Sequence, residues 1–155
     1  MTLPPPSPPA GRTWPRRLLL LLWLGVIVGL SSWPNPQAPI TPPTLLDRLL
    51  PYAVHFTLYA VLGLLIAWNL SPWARQRVHP LLGIVLVGLL GCLWGMLDEW
   101  YQGFIPGRYP SWEDVGVDTL GAFVGGWAGL WLLPRLLAPW RKASSASAGD
   151  PPPKP

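Results

Sequence analysis

The stretch Gly95–Gly129, GMLDEWYQGFIPGRYPSWEDVGVDTLGAFVGGWAG, decides how the whole chain is read. It holds Asp98, Glu99, Glu113, Asp114 and Asp118, five of the chain's seven acidic residues, together with Gln102 and Arg108. Apolar, glycine-rich segments flank it on both sides. At about 100° per residue, Gly88, Gly91, Gly95, Asp98, Glu99 and Gln102 share one helical face. Asp114, Asp118, Gly121, Gly125 and Gly129 repeat the pattern in the opposite direction. In each helix the polar end lies beside the short loop and the glycines run away from it. Gly91–Gly95, Gly121–Gly125 and Gly125–Gly129 are GxxxG pairs, which let helix backbones approach closely in lipid. Acidic side chains at the ends of membrane segments are costly and face a bundle interior or a water-filled cavity. Both polar stripes are therefore expected to point inward.

The loop between the two helices follows turn chemistry. Pro106–Gly107 suits the central positions of a type II turn. Ser111 followed by Asp114 reads as an N-cap with an acid at N3, so the last long helix starts at Ser111. Glu113 and Asp114 then lie in the first turn, where the helix dipole favours negative charge. That accounts for Glu113 and part of Asp114. Asp118 lies a turn deeper and needs another reason.

Half of the 155 residues are hydrophobic and 12% are charged, a balance that points to a membrane protein. The net charge of +4 is no nucleic-acid signal, because the basic residues sit in short clusters beside apolar runs. Residues 1–15 are proline-rich and expected to be disordered, as is the Ser/Ala/Pro tail 143–155. The membrane domain spans 16–142. Arg16–Arg17 open an apolar run from Leu18 to Trp33, read as a retained helix rather than a cleaved leader, since no small-x-small site follows. A proline-rich linker at 34–43 leads to a second helix over about Leu45–Leu70. A polar loop is expected at 71–79, with His79 given no chemical role. A third helix runs from Pro80 or Leu81 to near Gln102 and a fourth from Ser111 to about Leu133. Each of the four is long enough to cross a hydrocarbon core of about 30 Å. The fold class is thus an all-α, four-transmembrane-helix bundle with disordered proline-rich termini.

On the second helix Arg48, Tyr52, His55 and Tyr59 share one face, and Asp47 precedes them. The arginines set the orientation. Arg12, Arg16 and Arg17, then Arg75 and Arg77, then Arg135, Arg141 and Lys142 mark one side, which places both termini in the cytoplasm. The acids other than Asp150, and His55, then lie toward the outer face. The single cysteine, Cys92, allows no intrachain disulfide and is assigned to packing.

Two segments resemble VanZ-like proteins. DRLLPYAVHFTLYAVLGLL, Asp47–Leu65, is similar to that family's Asp-[Lys/Arg]…His…Tyr…Gly segment, with Arg48 where lysine is common. LDEWYQGFIPGRYPSWEDVGVDTLGAFVGG, Leu97–Gly126, is similar to its Asp-Glu…Gln…Pro-Gly-Arg…Asp…[Asn/Asp]…Gly…Gly segment, with Asp118 where asparagine is common. The resemblance covers about 45–130. It implies a multi-pass protein of the bacterial cytoplasmic membrane with an envelope role. The family's founding member is associated with tolerance of the glycopeptide teicoplanin, and no mechanism comes with the resemblance.

Four readings stay open. In the first, Asp47, Arg48, His55, Tyr59, Asp98, Glu99, Gln102, Arg108, Asp114 and Asp118 line an outward-facing pocket. Arg108 would hold an anionic headgroup there by its bidentate fork. The partners would be the bilayer and a lipid-linked cell-wall precursor or a glycopeptide. In the second, His55 and the carboxylates are acid and base groups of an intramembrane enzyme. The third is a divalent cation on carboxylates and one histidine; no HExxH or CxxC spacing supports it, so no metal or other cofactor is assigned. The fourth is a structural polar network, against which the acids outnumber the nearby arginines.

Overall fold

The computed structural model describes residues 13–34, 44–77 and 79–136, and no side chain between 72 and 77. The tails and the 34–43 linker lie almost wholly outside the described residues, as do Trp140, Arg141 and Lys142. The four long helices are α1 (Trp14–Ser31), α2 (Leu45–Arg77), α3 (Pro80–Gln102) and α4 (Trp112–Trp127). A π-helical turn, Ala128–Leu132, and the short α5, Leu133–Leu136, continue α4. No strand occurs among the described residues.

Local sequence explains the ends of these helices. Pro15 and Pro80 sit in the first turns of α1 and α3, where a missing N–H costs nothing. Thr44 and Asp47 form a reciprocal box at the start of α2. Asp47 Oδ2 accepts from Thr44 N at 2.9 Å, and Thr44 Oγ1 accepts from Asp47 N at 3.2 Å. Ser111 caps α4 by accepting from Asp114 N at 3.2 Å, so the first helical residue is Trp112. The turn before it closes through Arg108 N donating to Ile105 O, with Gly107 at φ 77°, the left-handed position a type II turn requires.

One boundary differs from the sequence expectation. The polar loop expected at 71–79 is helical to Arg77, leaving a far shorter connection to α3. Pro72 is carried inside α2. Its missing N–H would leave the Trp68 carbonyl unpartnered, and the Ser71 hydroxyl fills that place at 2.9 Å. His79 does have a local role: its Nδ1 accepts from Leu81 N at 3.3 Å and caps α3.

α2, α3 and α4 pack on one another through glycine, whereas α1 packs through large side chains, Ile27 clustering with Tyr59 and Leu62. α4 lies against both α2 and α3, and α1 lies mainly along α2. A Cβ at Gly121 would stand 2.5 Å from the Phe56 carbonyl oxygen; at Gly125 it would meet Ala60 O and Leu64 N. Gly129 faces Ala67 and Leu64 of the same helix. On α3, Gly88 meets Phe123, Gly91 meets Ala122 and Gly95 meets Asp118. The α4 stripe thus serves α2, and the α3 stripe serves α4.

Outside, the bundle is apolar. Leu21, Leu22, Leu81, Leu82, Leu89, Leu93 and Leu120 are all exposed, while Asp98, Glu99, Gln102 and Asp118 are buried. Such an exterior fits lipid as solvent and not water. The four spans, counted through α5 for the last, are long and apolar enough to cross a membrane.

Candidate functional site

The antiparallel order brings the end of α1, the start of α2, the end of α3 and the start of α4 to one end of the bundle. The polar side chains of all four meet there. Asp118 is 0% exposed, and its Oδ1 takes a hydrogen bond from His55 Nδ1 across the α2–α4 seam at 3.0 Å. This is the one ion pair among the described residues when His55 is protonated. Gly95 makes room for it, because a Cβ there would stand 3.1 Å from Asp118 Oδ2. Asp98 Oδ2 accepts from the Ser31 hydroxyl at 2.9 Å and from Gln102 Nε2 at 3.0 Å. Glu99 Oε1 accepts from Gln102 at 3.2 Å, and Oε2 accepts from the Ser111 backbone N–H at 2.7 Å. Glu99 thereby ties the end of α3 to the cap of α4.

A cavity of about 350 Å³ opens between α1, α2 and α3. Its polar lining is Ser31, Asp47, His55, Tyr59, Asp98, Gln102 and Arg108, and its apolar walls are Ile27, Leu30, Leu50, Pro51, Val54 and Leu58. Arg108 does not fold back onto Asp98 and Gln102 as its loop position suggests. Its Nε donates to Trp33 O at 3.1 Å and its Nη2 to Leu30 O at 3.1 Å. The guanidinium thus ties the loop to the end of α1, where Leu30 O also accepts from Trp33 N at 3.2 Å. Nη1 makes no hydrogen bond among the described residues.

Not every residue read from the sequence lines this cavity. Glu99 faces a second cavity of about 490 Å³, lined also by Met96, Trp100, Phe104, Trp112 and Val115. Asp118 sits behind His55. Asp114 is half-buried at the α4 cap and, like the exposed Arg48, does not reach the cavity lining. Asp47 is at the rim and spends Oδ2 on capping.

Sequence reasoning placed α1 but missed its part in the site. Ser31 bonds Asp98, and the Ser32 hydroxyl shares a 2.9 Å hydrogen bond with the Tyr101 hydroxyl. Trp23 Nε1 donates to Leu58 O at 3.0 Å and fixes α1 along α2. The available signal was two adjacent serines closing an apolar run, at the depth where α3 carries Asp98.

At the far end the charges are of the opposite sign. Arg16 lies 5.3 Å from the Trp68 ring centroid and Arg135 3.8 Å from that of Trp131. Cation–aromatic pairs of this kind suit a membrane–water boundary.

Four spans, an apolar exterior and a polar centre enclosed at one end define a multi-pass helical membrane protein. The VanZ/LLP1 family model matches residues 17–134, more than half of the chain, and the chain belongs to that family. The match takes in most of α1, which carries no diagnostic motif of its own. No curated protein and no solved structure matches the chain.

Proposed function

We propose that the cavity between α1, α2 and α3 binds an amphipathic envelope molecule, with a lipid-linked cell-wall precursor as the best fit. One observation carries the reading: a single cavity joins apolar walls to hydrogen-bonding groups and a guanidinium. Acceptors on Asp98, with His55 and Gln102, suit a donor-rich headgroup such as a sugar. Arg108 Nη1 suits a phosphate oxygen beside it. Ile27, Leu50, Val54 and Leu58 suit the start of an acyl or prenyl chain. A glycopeptide with a lipid tail offers the same chemistry, which supports a link to teicoplanin tolerance. The arginine distribution supports a bacterial inner-membrane protein with both termini in the cytoplasm and this end outward.

Val54→Trp tests the reading by filling the cavity from its wall without touching the polar network. Purified protein in nanodiscs is expected to bind a lipid-linked precursor, and Val54→Trp to lose that binding while keeping its helix content. Arg108→Lys is expected to weaken binding partly, because lysine keeps the charge and loses the fork. Equal binding by Val54→Trp and the parent rules the cavity out.

A second reading has its own observation. His55 opens onto the cavity with Asp118 behind it at 3.0 Å, an arrangement in which a carboxylate orients a general base. It requires release of a hydrolysed product from the bound lipid, and the same nanodisc samples report it.

A further inference from the structure

We propose that His55, Glu99 and Asp118 form a site for one divalent first-row cation, zinc or manganese(II). One ligand atom from each lies within 4.8 Å of the others, on α2, α3 and α4. Ligands held about 2.1 Å from a common ion are about 3 to 4 Å apart, so small side-chain rotations close the set. One imidazole with two carboxylates suits zinc or manganese(II) better than calcium, which takes oxygen alone, or a soft thiophilic metal.

Two further observations point to a ligand here. Asp118 Oδ2 is fully buried and has no hydrogen-bond partner. Tyr59, 1% exposed and one turn beyond His55 on the same face of α2, has a hydroxyl that makes no hydrogen bond within 3.5 Å. Buried polar atoms find partners as a rule, and an orphaned carboxylate oxygen within the histidine–carboxylate set is an exception in need of a cause. Charge points the same way. Asp98, Glu99 and Asp118 are all buried, and Arg108 is turned to the carbonyls of α1. Carboxylates taken out of water need a countercharge close by. Glu99 is already oriented by Ser111 N and Gln102, as ligands are by their surroundings. Since His55 also lines the cavity, the ion would sit in its wall, whether or not the cavity holds a lipid.

The test uses untagged full-length protein in nanodiscs, stripped with EDTA and titrated with zinc or manganese(II). Elemental analysis is expected to find about one equivalent per chain, with a rise in melting temperature. Asp118→Asn and Glu99→Gln are expected to lose the bound ion and the melting shift. The chain has two histidines, and His79 is exposed at the cap of α3, so His79→Gln is expected to keep both. If the acid variants do not fold, the parent and His79→Gln decide: pulsed electron paramagnetic resonance of bound manganese(II) is expected to show one histidine nitrogen in both, and its absence from either overturns the proposal. A folded parent that takes up no ion overturns the proposal and leaves a hydrogen-bonded network alone. Undiminished uptake by folded Asp118→Asn overturns it too. Metal uptake and precursor binding are read separately, so failure of one leaves the other standing.

Discussion

Gly121 offers the sharpest test of how the bundle holds its polar centre. An alanine Cβ there would lie 2.5 Å from Phe56 O and 3.1 Å from Ala60 N, both backbone atoms of α2. An unstrained contact needs about 3.5 Å, so α2 and α4 have to part locally by about 1 Å. Backbone cannot rotate aside as a side chain can. The overpacking cost is therefore expected in the upper part of the usual range of about 1–3 kcal/mol. Replacing a helical glycine by alanine returns about 1 kcal/mol of helix propensity. The net loss for Gly121→Ala is then about 1–2 kcal/mol. Gly116, on the same helix, has nothing within 4 Å of its built Cβ. Gly116→Ala is expected to gain about 0.5–1 kcal/mol. The two variants should differ by about 1.5–3 kcal/mol although the chemical change is identical. Reversible unfolding in mixed micelles, followed by circular dichroism, measures that difference. The His55–Asp118 bond crosses the same seam at 3.0 Å, with His55 next to Phe56 and Asp118 one turn before Gly121. Precursor or ion binding should weaken in step with stability in Gly121→Ala. If Gly121→Ala is as stable as Gly116→Ala, α4 does not press its glycine face on α2 and the seam is wrong.

Two other outcomes are expected. Ser31→Ala removes one of two donors to the buried Asp98 and should cost about 1–2 kcal/mol, with faster hydrogen exchange at the end of α1; unchanged exchange there would detach α1 from the site. Reporter fusions at Gly103 and after Gly149 should place the former outside and the latter in the cytoplasm, and an external C-terminus would reverse the proposed orientation.

Much of the architecture was legible along the chain because its causes are local. A bilayer demands long apolar helices, so composition and run length identify four of them. Caps and turns act over three or four residues, and Ser111, Asp114, Pro106 and Gly107 declare the α3–α4 connection from their order alone. The end of α2 was not legible: a Ser-Pro followed by charged residues reads as a break, and only the Ser71–Trp68 hydrogen bond explains why the helix carries on. Sequence spacing also determined that Asp98, Glu99 and Gln102 share a face with Gly91 and Gly95, and that Asp118 shares one with Gly121 and Gly125. Only the tertiary structure decided which faces meet. It put Asp118 against His55 rather than an arginine, turned Arg108 toward α1, separated Glu99 from the cavity and brought Ser31 to Asp98. The periodicity of a helix is a property of its own backbone, whereas a hydrogen bond between residues 67 positions apart depends on how four rods settle against one another.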